Sequence, residues 1–200
     1  CLIFLTALTL LGLSASADTV LQNKLAANLK ESEHAKQSAL AALSWAEHWL
    51  LALDGPAPES CAEACDGLYV HARGDLPPHP EFENLSWWME HGHEAGIDPL
   101  TGHRITTISA ESFNRPVWII EAVHSIPHAQ NGTEDLQVWY RILARGTGRT
   151  STSISVIESM VVRSWTTIDN TEFTETGTSR SCPGSEATAK CRRVSWRELR

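Results

Sequence analysis

Apolar and polar residues change period twice along this chain, and each change marks a different kind of element. The first seventeen residues, "CLIFLTALTLLGLSASA", carry no charge. From Asp18 the apolar positions recur at intervals of three and four: Leu21, Leu25 and Leu29, then Ala39, Leu43, Ala46, Leu50 and Leu53, with Lys36, Glu47 and His48 off that stripe. Such spacing describes one face of an α-helix. Neither Gly nor Pro occurs between Gly12 and Gly55, and the interval is rich in Ala, Leu, Lys, Glu and Gln, which favour helix. One continuous helix is therefore expected over residues 1–53, apolar over 1–17.

The uncharged start has two readings. One is the end of a secretory signal peptide with "SASA" as the cleavage box before Asp18; the other is a membrane helix running on into a soluble one. A signal peptide needs a basic region before its apolar core and a mature domain that begins afresh after the small residues. Neither is present, so the membrane helix is the better reading. The first residue is Cys1 rather than Met, so the start of the chain is expected to be missing; seventeen uncharged residues fall just short of the roughly 20 that span a bilayer core.

Beyond the helix the pattern breaks. Residues 54–115 hold the turn signals "DGPAPES", "GDLPPHP" and "GIDPLTG" and read as a long irregular connection, with one short helix expected in "EFENLSWWMEHGH" and Trp87 and Trp88 anchoring it. A period of two then appears. "RPVWIIEAVHSI" reads as a strand entered through Pro116, "LQVWYRILARGTGRTSTSISVIESMVVRSW" as a hairpin turning at "GTGRT", and "CRRVSWREL" as a last strand. Residues 116–200 are thus expected to form an antiparallel sheet, and helix, loop, then sheet is an α+β order.

Composition narrows the function. With the helix set aside, about 145 of the 200 residues remain, the size of one ordinary domain. The net charge of -8 argues against a general nucleic-acid binder, which needs a basic surface. Residues 180–200 hold six Lys or Arg against two Glu, a net +4, leaving -12 on the first 179. That basic end reads as a strand edge protected by its charges. Of five cysteines, Cys1 lies in the apolar segment, while Cys61, Cys65, Cys182 and Cys191 fit two disulfides in an exported domain, with three connectivities open.

Candidate chemistry is thin. "HGHEAGIDPLTGH" gathers His91, His93, Glu94, Asp98 and His103, a sensible ligand set whose spacing matches no zincin pattern; it reads as a polar surface loop. Without a G-x-S-x-G elbow there is no support for a serine hydrolase, and "GTGRTSTS" lacks the lysine of a phosphate loop. No catalytic residue, metal or cofactor is expected. Trp45 and Trp49, one turn apart, read as packing under the loop.

The segment "LTALTLLGLSASADTVLQNKLAANLKESEHAKQSALAALSWAE" resembles the N-terminal part of PilX-type minor pilins of type IV pili. "RPVWIIEAV" and "YRILARGTGRTSTSISVIES" are similar to two strand segments of that family, and "SWREL" resembles its usual ending. The resemblance implies a type IV pilin-like fold, in which the helix from Asp18 on lays its stripe on the sheet, and a non-enzymatic role as a minor pilin that helps initiate pilus assembly at or near the tip, in twitching motility and cell adhesion. It implies other minor pilins, the major pilin and a PilY-type tip adhesin as partners. It also implies a single-pass inner-membrane subunit with a periplasmic domain before assembly, and a place in the pilus at the cell surface afterwards. Leu2, Leu5, Leu8, Leu11, Gly12 and Leu13 would form the membrane and assembly helix, with small residues such as Ala7 and Ala15 permitting close approach. Cys182 with Cys191, resembling the disulfide-bounded region of many pilins, and Cys61 with Cys65 are the expected pairs. The competing reading is a membrane-anchored or secreted periplasmic domain that binds a ligand or metal through the 54–115 loop.

Overall fold

The computed structural model describes residues 2–53, 56–58, 70–104, 115–130, 133–166 and 191–199. Helix α1 (Leu2–Ala52) is one unbroken element of 51 residues. It is followed by β1 (Val70–His71), a 3-10 turn (Pro80–Phe82), α2 (Leu85–His91), β2 (His93–Glu94), and the long strands β3 (Val117–Gln130), β4 (Thr133–Thr147), β5 (Ile154–Thr166) and β6 (Cys191–Glu198). The sheet order is β1-β3-β4-β5-β6, with β2 beside β3. Every pairing is antiparallel except β1 with β3. This is the α+β arrangement that the pattern predicts, a long helix packed on a mostly antiparallel sheet, and it agrees with the pilin-like fold that the resemblance implies.

Local chemistry accounts for the elements. Gln130 pairs with Thr133, and the residues between them in sequence are Asn131 and Gly132, the pair most favoured in two-residue hairpin loops. Pro127 lies within β3, where it pairs with Leu136. Proline is tolerated there because, among the described residues, β3 has outer neighbours only over residues 117–121. Within the 54–115 segment, α2 is capped by Asn84, whose side-chain oxygen accepts the Trp87 N–H at 3.0 Å.

Alternation along the strands sorts the sheet into two faces. Ile120, Tyr140, Ile142, Ile157 and Val161 point toward α1 and bury Ala39, Leu43, Ala46 and Leu50. Alanines on the helix let it lie close to the strands, and Trp49 fills the end of that seam, 5.3 Å from the Trp118 ring. Opposite, Val117, Ile119, Leu143 and Val156 are covered by Leu76 and Trp88, so the 70–91 segment forms a flap on the second face. Beyond the flap that face carries a charge ladder. Arg141 reaches Glu121 at 3.4 Å and Glu158 at 2.7 Å, and Arg197 reaches Glu158 at 3.0 Å.

One expectation is corrected. The apolar stripe does not meet the sheet from Asp18 onward: residues 19–30 are exposed throughout, Leu21, Leu25 and Leu29 among them, and burial begins at Ala35. Periodicity predicts a face, not the point at which a partner surface runs out. The β4–β5 turn ends level with Glu31, and the helix simply continues past it.

Candidate assembly surface

The helix is fastened to the head at both ends of their contact. At the C-terminal end the last carbonyls of α1 have no helical partner. The buried guanidinium of Arg163, on β5, donates to the carbonyls of Leu50 and Leu53 and lies 3.7 Å from the centre of the Trp165 ring. A cation at a helix C-terminus also opposes the helix dipole favourably. Midway, Glu47 accepts Ser159 Oγ at 2.6 Å and Arg193 Nε at 2.8 Å, and its second oxygen also meets Arg193. The Glu47 carboxylate raises the pKa of Arg193. A bulge opposite Met160 and Val161 sets Arg193 on the helix side of β6, next but one to Ser195 in the register. Lys36 closes the same seam on Glu198 at 2.8 Å. Arg193 and Arg197 are therefore paired with Glu47 and Glu158, so that part of the basic C-terminal end is not free charge.

Toward its N-terminus α1 leaves the sheet over two glycines. A Cβ on Gly146 would lie 2.2 Å from the Ala39 nitrogen and 2.4 Å from the Ala35 oxygen, so helix and strand backbones touch only because that atom is missing. Gly148 does the same for the Glu31 carbonyl, 2.8 Å from its would-be Cβ. Glu31 Oε2 then accepts the backbone N–H groups of Arg149 at 2.8 Å and Thr150 at 3.3 Å. Over residues 19–30, just past this point, the helix is exposed. It shows Leu21 (68 % exposed), Leu25 (61 %) and Leu29 (64 %), an uncovered apolar row about one turn apart along its face, with Val20 (52 %) beside Leu21.

The histidine-rich loop is built differently from a ligand site. His71 Nε2 donates to the His91 carbonyl at 2.7 Å, and His91 Nδ1 donates to the Trp87 carbonyl at 2.9 Å while its ring stacks on Trp87. His93 packs 5.1 Å from Trp118, and its pKa is pushed down to about 4, first by burial and then by the neighbouring His71. Glu94 is held by Arg115 at 2.7 Å. Asp98 Oδ1 accepts the Leu100 N–H at 3.0 Å and its Oδ2 accepts the Thr101 hydroxyl at 2.7 Å, while its own N–H donates to the His103 carbonyl at 2.9 Å. These groups fasten the flap and shape its turns. Among the described residues no three His, Cys, Asp or Glu side chains converge as a metal would require. A cleft of about 380 Å³ lies between Pro58 and the β3–β4 hairpin, lined by Arg73, His124, Ser125, Leu136 and Tyr140; burial raises the pKa of the Tyr140 phenol.

Of the residues singled out from sequence, Leu2, Leu5, Leu8, Leu11, Gly12 and Leu13 lie in α1, and their side chains are outside the described set. Among the described residues no helix is long and apolar enough to cross a membrane. Cys61, Cys65 and Cys182 fall outside the described residues, and Cys191 opens β6. Sequence reasoning missed Glu31, Gly146, Gly148 and Arg163. The only signal was "GTG", a glycine pair in a strand end, which reads as a turn until the helix is seen lying on it.

The family model described as type IV pilus assembly protein PilX, C-terminal part, matches residues 31–163. No curated protein and no solved structure matches the chain. The matched span opens at the glutamate where α1 meets the head, takes in the flap, β1–β4 and most of β5, and ends at the arginine that caps α1. Covering well over half of the sequence, it shows that the chain belongs to the PilX family of type IV pilus assembly proteins.

Proposed function

We propose that the protein is a minor pilin, a non-enzymatic structural subunit that helps initiate type IV pilus assembly and sits at or near the pilus tip. The observation that carries this reading is the apolar row Leu21, Leu25 and Leu29, with Val20 beside it, on a helix that has already left its own sheet. Each such side chain gains about 1.5–3 kcal/mol when fully covered, so the row favours a partner surface, and the helices of neighbouring subunits supply one of matching shape. Before assembly the segment with Leu2, Leu5, Leu8, Leu11, Gly12 and Leu13 holds the subunit in the inner membrane with its head in the periplasm. On assembly, helix contacts replace lipid contacts around that uncharged surface. The major pilin and other minor pilins provide those helices, and a PilY-type adhesin is met at the tip. Cys61–Cys65 and Cys182–Cys191 are the disulfides of the exported head.

Leu8→Asp tests the reading, since it places a carboxylate among uncharged helices at a cost of roughly 2.5–3.5 kcal/mol. It should abolish pili and twitching while the head stays folded and exported. Replacing His91, His93 and His103 together with Ala should leave pilus number near wild type. The opposite pair of results, pili retained in the exported Leu8→Asp variant and lost in the triple histidine variant, would favour a ligand-binding domain and end the assembly reading.

A further inference from the structure

We propose that Glu31 is a positioning residue for assembly: with the β4–β5 turn it forms a clasp that fixes the direction in which the free half of α1 leaves the head. The inference rests on the assembly reading above and adds a device to it. Three observations meet at one place. Gly146 and Gly148 bring strand and helix backbones into direct contact at Ala35, Ala39 and Glu31. The Gly148 N–H donates to the Ser153 carbonyl at 2.9 Å and closes the turn, leaving the N–H groups of Arg149 and Thr150 to converge on a single oxygen of Glu31. Residues 19–30, immediately beyond, are exposed throughout.

Two amide donors on one carboxylate oxygen, with the helix backbone seated on glycine beside them, restrict rotation far more than a single exposed ion pair does. The next ion pair along α1, Lys36 with Glu198, lies more than one helical turn further in, on the β6 side, and does not hold the exit. Leverage makes the clasp matter. From Glu31 to Thr19 the rod is about 18 Å long, and to Leu2 about 44 Å, at 1.5 Å per residue. A swing of 10° at the clasp thus moves those points by about 3 Å and about 8 Å, against helix packing that is felt at the scale of one methylene. A subunit must present its helix to several neighbours at once, so a loose exit lowers the fraction of molecules ready to dock.

Substitutions at Glu31 separate contact from charge. Gln keeps a carbonyl oxygen where Oε2 sits, Asp keeps the charge but is one methylene short, and Ala removes both. In the full chain held in detergent micelles, spin labels carried on non-natural side chains at Gln22 and Ser125 report the angle between rod and head. Wild type and Glu31→Gln should give one narrow distance distribution; Glu31→Asp and Glu31→Ala should give a broad one, with the melting of the head little changed. Pilus number should stay near wild type for Gln and fall about tenfold for Asp and Ala, the effect of losing the hydrogen-bonded contact to the turn amides. A narrow distribution in Glu31→Ala, a broad one without loss of pili, or failure of Gln alongside Ala would each overturn the clasp. Pili lost in Leu8→Asp but kept in Glu31→Ala end the clasp and leave the assembly reading standing; pili kept in both end both.

Discussion

Replacing Arg163 with Met should cut α1 loose at its C-terminal end. Methionine keeps the stem that packs in the seam and removes only the guanidinium. The buried carbonyl of Leu50 and the half-buried carbonyl of Leu53 lose their donor, and the face of Trp165 loses its cation. A hydrogen bond to a charged group contributes about 1.5–3 kcal/mol, and a buried carbonyl left unpaired costs about 1–3 kcal/mol. Against this stand the relief of a buried charge and a sulfur–ring contact of about 0.3–1.5 kcal/mol. The balance is a loss of about 3 kcal/mol, near the lower end of what breaking a buried charged contact costs. Arg163→Lys, with one ammonium for two carbonyls, should lose about half as much. Urea unfolding of the full chain in detergent reads the loss as a lower midpoint at unchanged slope. Hydrogen exchange should locate it, with amides of residues 47–52 opening before those of β4 and β5. A Met variant within about 0.5 kcal/mol of wild type, the range of an ordinary surface change, would refute the capping role.

The stability of the head should be acid-sensitive through His93, which packs on Trp118. Its pKa near 4 in the fold lies below the 6.5 of the unfolded chain, so the stability that its neutral ring brings is complete above pH 6.5 and is lost as pH falls toward 4, by at most about 3 kcal/mol. His93→Phe should flatten the stability curve between pH 6.5 and 4, and an unchanged slope in that window would show that other groups set it. Mass spectrometry of unreduced peptides should find Cys61 joined to Cys65 and Cys182 to Cys191, each bond stabilising the head by roughly 2–3 kcal/mol. Peptides linking either member of the first pair to either member of the second would overturn that connectivity.

Much of the architecture can be read from residue types alone. The helix could be foreseen because breakers are absent between Gly12 and Gly55 and apolar positions keep its period; the structure has it from Leu2 to Ala52. The long strands follow from β-branched runs bounded by Pro116 and "GTGRT", and α2 falls within the short helix expected in "EFENLSWWMEHGH". The resemblance carried by the opening segment also led to the family. Such features are local: each depends on side chains a few residues apart, where backbone preference and period decide.

What lay out of reach was every contact made between distant parts. Arg163 in a strand and Leu50 in the helix are 113 residues apart, and Glu31 lies 118 residues from Arg149. Nothing near Glu31 distinguishes it from Glu33, yet only Glu31 is placed on the turn amides, because Gly146 and Gly148 lower the helix onto the strands. The histidine-rich segment reads as a polar surface loop, but its sequence does not say that His71 and His91 bond to backbone carbonyls or that His91 and His93 pack on indole rings. Sequence determined which elements form and which faces are apolar, since those follow from short-range sterics and periodicity. The tertiary structure alone decided where the helix stops being covered, and so which apolar residues remain for a partner, because that depends on how far the sheet extends beneath it.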